Sequence, residues 1–364
     1  MLRPGTGGVI LWLGTAWLVA LGMVMVLNTS YFFAQERFAD PYLFARKHLL
    51  AIALGLAAMV TAWRIPTHVL RRATYPLLLS SIAALAMVLV PGIGVTRGGA
   101  RRWLQAAGLT FEPSEIAKLA VVLYLAHSLT KKGDKVRDFW IGYFPHLVIL
   151  GAVAVLIAVE PDFGTAVLLA ILLFVMLVAN GARWSHLALT ASLALPFAAF
   201  AVVNSGYRWQ RLTSFIDPWQ DAQRSGFQLV QSLIAFGAGG PFGVGLGAGR
   251  QKMFYLPEAH TDFVFAVIGE ELGLVGTLSV LATFALLAVG GLRLAWRHPD
   301  AYASNLALGI ISLIVLQAGM NMAVTVGLLP TKGIALPFLS YGGSALVANL
   351  SAMGILLSVT REAG

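Results

Sequence analysis

Cysteine is missing from all 364 residues, which removes disulfide staples, thiolate metal sites and cysteine nucleophiles together. Charge is also scarce. Asp, Glu, Lys and Arg make up 11% of the chain, less than half the roughly 25% that soluble domains carry. The seven His show no H-E-x-x-H or comparable ligand spacing, so a zinc site is not indicated. Seven glycines crowd residues 237 to 249, yet neither G-x-G-x-x-G nor G-x-x-x-x-G-K closes among them. Nucleotide and organic cofactors therefore find no support, and a re-entrant or surface loop is the default reading there. No G-x-S-x-G elbow follows a strand pattern, and no repeat of roughly 20 to 50 residues is visible. With no basic soluble domain, nucleic acid is not an expected partner. The net charge of +9 suits anionic membrane lipids or phosphate-bearing substrates instead.

What fills the chain is apolar: 58% of residues are hydrophobic. Apolar runs fall at about 9 to 28, 48 to 63, 74 to 92, 115 to 130, 143 to 159, 164 to 180, 184 to 203, 263 to 292, 303 to 328 and 340 to 359. Their lengths predict an all-α polytopic membrane protein of about ten transmembrane helices, one domain over 1–364 with no strands to speak of. The first run is too long for a signal h-region and lacks a small-residue cleavage site, so it reads as a retained span. With the N-terminus cytoplasmic, the short cytoplasmic loops and ends hold 12 Lys and Arg and the opposite short loops hold 7. Both termini are therefore expected inside. Between the seventh and eighth spans, residues 204–262 form a large extracytoplasmic loop.

The distinctive polar motifs all fall on odd-numbered connections, hence on one face. They are Gly-Gly-Ala-Arg-Arg-Trp (98 to 103) with Glu112-Pro113-Ser114-Glu115, then Glu160-Pro161-Asp162-Phe163-Gly164-Thr165, then Leu256-Pro257-Glu258-Ala259-His260-Thr261-Asp262-Phe263. The last is Pro330-Thr331-Lys332-Gly333 followed by 336 to 344. Ionisable groups near lipid cost about a few kcal/mol each, so they tend to face a cavity or a partner. Each also has a plainer reading. Asp262 with Thr261, or Asp162 with Thr165, could cap a helix. Glu115 and Lys118, three apart, could satisfy each other. Arg101 and Arg102 beside Trp103 could be interface anchors, or a phosphate clamp, because guanidinium forks match phosphate oxygens. Of Glu270 and Glu271, at most one is expected to face a shared pocket, the other meeting headgroups or a helix. A divalent cation such as Mg or Mn, held by carboxylate and phosphate oxygens, stays open.

Taken in order, these motifs resemble the SEDS family (shape, elongation, division, sporulation), and the likeness spans essentially the whole chain. Within it, Pro-Glu-Ala-His-Thr-Asp-Phe and Pro-Thr-Lys-Gly are more similar to the cell-division branch than to the elongation branch. The resemblance implies a peptidoglycan glycosyltransferase that polymerises lipid II, the acceptor GlcNAc 4-hydroxyl attacking the donor's MurNAc with loss of undecaprenyl pyrophosphate. It implies an essential carboxylate at Asp262, and substrate-binding roles for Arg102, Glu112, Lys118, Asp162 and Lys332. Arg101, His260 and Ser340 join that set from their places in the same motifs. Glu112 departs from the family, which often has Gln before Pro-Ser-Glu, so a role needing an amide is in question there. The family also implies a class B penicillin-binding protein transpeptidase and division accessory proteins as partners, beside lipid II and the growing glycan strand. The chemistry is coherent: an Asp can take the hydroxyl proton, and cations can stabilise a pyrophosphate leaving group without a protonating acid. Hydrolytic glycosidases, by contrast, use two carboxylates. Two other classes compete: a flippase or transporter for a lipid-linked precursor, which should show inverted repeats and midplane polar residues, and a scaffold that only positions an enzyme.

Overall fold

A computed structural model describes residues 6–97, 100–106 and 109–362, so Gly98 and Gly99 of the first motif lie outside the described residues. Each of the ten apolar runs forms the body of a helix: α1 (Thr6–Phe38), α2 (Leu43–Arg64), α3 (Thr67–Leu89), α4 (Pro113–Lys132), α5 (Phe144–Val159), α6 (Phe163–Ala179), α7 (Trp184–Val203), α10 (Val264–Arg297), α11 (Ala301–Thr325) and α12 (Gly343–Glu362). Two further helices occupy the long connection, α8 (Gly206–Ile216) and α9 (Phe227–Gly239). Among the described residues, 8 helices are long and apolar enough to cross a membrane. Of the expected spans, α4 and α6 fall outside that set. The first carries Glu115, Lys118, Lys131 and Lys132, and the second has 17 residues. Both lie inside the bundle, α4 against α3 and α11, and α6 against α5 and α11. There protein replaces lipid as the solvent, so length and hydropathy are less constrained.

Two polar layers close the bundle. At one end the Asn180 amide donates to Asn305 Oδ1 (2.8 Å) and Asn305 Nδ2 donates to Thr130 Oγ1 (3.1 Å), joining α6, α11 and α4. The Glu362 carboxylate accepts from the Thr67 amide (2.9 Å), tying α12 to the free N-terminus of α3. At the other end lie the connections that carry the motifs. One of them holds a strand structure that the apolar pattern did not announce: β1 (Gly94–Arg97), β2 (Ala100–Ala106) and β3 (Leu109–Phe111) form an antiparallel sheet in the order β1-β2-β3. Thr96 pairs with Arg101 and Val95 with Trp103, so Arg102 is the extra residue of a bulge. Bulges re-aim side chains, and this one separates two adjacent arginines.

The glycine-dense segment is a docked loop. Helix α10 breaks at Gly273, whose φ of 65° is left-handed and suits glycine. Around the break the chain after α9 forms backbone bonds with α10: Val244 N to Glu270 O (3.0 Å), Gly245 N to Glu271 O (3.0 Å) and Leu274 N to Gly240 O (2.9 Å). Buried non-helical backbone needs partners, and both neighbouring carboxylates supply them. Glu270 accepts from the Arg250 amide (2.8 Å), and Glu271 accepts from the Gly247 amide (2.9 Å). Lys252, itself buried, donates to Glu271 (2.7 Å) and to Gly247 O (2.8 Å), and Asn28 of α1 bonds both Lys252 and Glu271. Of the two alternatives for the second glutamate, headgroups or a helix, Glu271 takes the helix contact through Asn28 of α1, and the loop folds back over both carboxylates.

Candidate active site

Asp262 sits one residue before the N-cap of α10, which is Phe263 and has no side-chain cap. Its carboxylate accepts no hydrogen bond among the described residues, so the capping alternative fails here. The main chain is what is fixed: Asn321, on α11, donates to Asp262 O (2.8 Å) and to Ile334 O (2.7 Å). One amide thus clamps the segment bearing Asp262 to the segment bearing Lys332. The approach is close, since a Cβ on Gly333 would stand 3.2 Å from Asp262 Oδ2. Burial, reinforced by the Glu258 and Asp162 carboxylates and opposed by Arg102 and Arg211, pushes the Asp262 carboxyl up to about 7. A carboxyl so poised can take a proton near neutral pH.

The bulged Arg102 sends its Nε to Glu160 O (3.0 Å) and Nη2 to Pro161 O, clasping the connection between α5 and α6. Its Nη1 has no hydrogen bond among the described residues. Arg101 turns the other way and donates Nη1 to Leu89 O (3.3 Å) at the end of α3. Of the two arginines, only Arg102 joins the carboxylates. Asp162 caps α6 through Oδ1, accepting from the Thr165 amide (3.1 Å), so the plainer reading holds for that oxygen. Lys332 and Arg208 both lie over the Phe163 ring, at 5.8 and 5.1 Å from its centroid. Burial lowers the Lys332 ammonium while Asp162 raises it. Arg211 of α8, absent from the sequence-based set, donates to Thr331 O (3.0 Å) and faces Asp262 electrostatically. Its sequence signal was only its place in the one long basic connection.

Deeper in the bundle, Lys118 Nζ lies 2.9 Å from Glu115 and 2.7 Å from Gln317 Oε1, and the Gln317 amide donates to Ala335 O (2.9 Å). This is the self-satisfied pair, extended to the loop that carries Lys332. Glu112, at the N-cap of α4, is pushed up to about 8 by burial and by Glu115 and Asp162, against Lys118 and Arg102. The shift favours the protonated acid, a form that can donate as the amide of a glutamine would. Glu160 is fully buried with both oxygens unbonded, and burial, with Asp162, pushes it up to about 8 against Arg102. Its shift, too, favours the neutral acid.

His260 and Ser340 are engaged elsewhere. The His260 ring packs against Phe33, Phe44 and Tyr341 at centroid distances of 5.6, 5.2 and 5.7 Å. Burial lowers its imidazole, while Glu258 raises it. Ser340 Oγ accepts from the Leu336 amide (2.8 Å), closing its own turn. Among the described residues, no three His, Asp or Glu side chains converge as metal ligands.

A helical membrane bundle that gathers the unbonded Asp262 carboxylate and several cations at one end defines an integral membrane enzyme suited to substrates with anionic groups. Comparison with known proteins specifies the class. The family model "Cell cycle protein", covering FtsW, RodA and SpoVE, matches residues 9–364, and the chain belongs to that family. A probable peptidoglycan glycosyltransferase FtsW of Geobacter sp. (strain M18) is 43% identical over 94% of this chain and 94% of its own. The stage V sporulation protein E of Bacillus subtilis (strain 168) is 40% identical over 95% of each. Among solved structures, a chain of a peptidoglycan synthase complex that coordinates polymerization and crosslinking superposes with TM-score 0.80 at 29% identity, covering 97% of both. The rod shape determining protein RodA of Thermus thermophilus does so with TM-score 0.72 at 28% identity, covering 97% of this chain and 96% of its own.

Proposed function

We propose that this peptidoglycan glycosyltransferase polymerises lipid II into glycan strands at the outer face of the bacterial cytoplasmic membrane, during septal wall synthesis. The single observation that carries this reading is the Asp262 carboxylate, free of hydrogen-bond partners among the described residues yet ringed by Arg102, Arg211 and Asp162. Asp262 takes the proton from the acceptor's 4-hydroxyl as that oxygen bonds to the anomeric carbon of the donor. The bond from that carbon to the pyrophosphate oxygen breaks, and the leaving group departs with its charge. Arg102 through its free Nη1, Lys332 and Arg211 stabilise that charge. Glu112, Asp162 and Lys118 serve the substrate less directly, by donating, capping and bracing the same walls.

A divalent cation fits this donor set only with help from the substrate. Among the described residues, Asp262 and the second oxygen of Asp162 would be its protein ligands, and Mg²⁺ accepts one or two carboxylates beside phosphate oxygens. Bound there, it would neutralise pyrophosphate charge. The excess of basic residues on the opposite connections supports an extracytoplasmic site with both termini inside. Likeness to the FtsW relatives and to the synthase complex supports a class B penicillin-binding protein as transpeptidase partner, with division accessory proteins. An elongation enzyme of RodA type would run the same chemistry.

The test is lipid II polymerisation by the purified full chain, with and without the transpeptidase and with EDTA. Asp262→Asn should abolish glycan-chain formation with the melting temperature kept. Polymer at the normal rate from that variant overturns the base, and loss of rate with EDTA supports the cation.

A further inference from the structure

Beside the carboxylate cluster lies a cavity of about 480 Å³, within the range of small-ligand sites. Its walls come from separate segments. Tyr207, Gln210 and Arg211 lie on α8, Arg224 and Gln228 on the turn into α9 and its first residues, and Thr331 on the connection to α12. Pro257, five residues before Asp262, completes the rim, and Thr331 directly precedes Lys332. The cavity joins Asp262 through the Thr331 to Gly333 segment, since Gly333 stands against Asp262 Oδ2.

The framework is already rigid. Ser225 donates its hydroxyl (2.6 Å) and its amide (3.1 Å) to Asp221, and Ser214 bonds the same hydroxyl. Arg211 is held between Thr331 O and the Tyr207 ring, 4.4 Å from the ring centroid. Against this fixed background the side chains of Gln210, Arg224 and Gln228 make no hydrogen bond among the described residues. A glutamine amide offers donors and an acceptor together. Two of them suit a neutral ligand whose donors and acceptors are interspersed, whereas an anion needs donors alone. Arg224 is offset by Asp221, the only carboxylate of the lining, which leaves Arg211, tied to Thr331 O at the edge towards Asp262, as its one net positive charge. Aromatic surface, idle amides and a moderated charge are the chemistry of carbohydrate binding, and acetamido sugars match the amides group for group.

We infer that this cavity is a saccharide subsite, holding the N-acetylated amino sugars adjacent to the bond being formed. It deepens the polymerase reading and rests on it. The site positions a glycan unit through Gln210, Gln228 and Arg224 while Asp262 acts on the hydroxyl next to it. None of these three side chains supports the fold through a hydrogen bond, so each can be altered separately from stability.

The experiment uses the purified full chain in detergent, with a soluble, uncharged tetrasaccharide of GlcNAc as probe, followed by saturation-transfer NMR and titration. Gln210→Ala/Gln228→Ala should weaken tetrasaccharide binding and raise the KM for lipid II by about tenfold, the loss expected for two hydrogen bonds, with kcat nearly kept. Arg224→Ala should move binding the same way. Asp262→Asn should still bind the tetrasaccharide. Equal affinity in wild type and both cavity variants, with melting temperatures unchanged, overturns the subsite while polymerisation continues. Inorganic pyrophosphate that displaces the tetrasaccharide in wild type but has no effect on the variants also overturns it, marking an anion site. Tetrasaccharide held through these residues by a wild-type chain that forms no polymer overturns the reaction and leaves the subsite standing.

Discussion

The pH dependence of polymerisation tests the site most directly, because its shape follows from where Asp262 stands. A base must be ionised to act, and burial with Glu258 and Asp162 holds this carboxyl at about 7, against the pull of Arg102 and Arg211. With that value, roughly half of the molecules carry the ionised form at pH 7, about a tenth at pH 6 and about a hundredth at pH 5. The ratio kcat/KM for lipid II, which reports the substrate-free enzyme, should therefore fall about tenfold per pH unit below 7 and level off above it. The sign of a perturbation follows as well. Glu258 is exposed, and its repulsion raises the Asp262 carboxyl, so Glu258→Gln should move the midpoint to lower pH and restore rate in mildly acidic buffer. Initial rates of fluorescent lipid II polymerisation between about pH 5 and about pH 9 read both effects. A wild-type midpoint near the ordinary carboxylate range, or one that Glu258→Gln leaves in place, would refute the assignment of the base. The same shift has a stability side. A carboxyl raised in the folded state binds its proton more tightly there than in the unfolded chain. The contribution of Asp262 to stability is thus fullest at low pH and declines as pH rises through about 7.

Arg102→Ala should lower kcat/KM for lipid II by about 100-fold, the scale of losing one charge-stabilising donor, whereas Arg101→Ala should leave it within a few fold. Equal losses in the two would return both arginines to the role of interface anchors. Lys252→Ala strands the Glu271 carboxylate in the interior and should cost roughly 3 to 5 kcal/mol, read as a lower melting temperature in detergent. An unchanged melt would show that the glycine loop does not depend on that pair.

The apolar runs between polar connections reported the ten main helices, because lipid and a packed interior both demand apolar surface, and the sequence carries that demand locally. What it could not report was α8, α9 and the small sheet, whose residues answer to one another across gaps that no local window spans. The Glu270–Glu271 pair is the clearest instance. Adjacent carboxylates in an apolar helix look costly, and the cost disappears only when a loop some 20 residues earlier brings its amides back to them. Arg101 and Arg102 are neighbours of the same chemistry, and only a β-bulge sends one to the carboxylates and the other to the end of α3. Composition and motif order, being properties of the chain itself, determined the membrane fold and the family, and singled out Asp262 as the candidate base. Which cations face that aspartate, which glutamates are shifted towards the neutral acid and where a sugar could rest were decided by tertiary structure alone, because charge and hydrogen bonding depend on distances between segments that folding brings together.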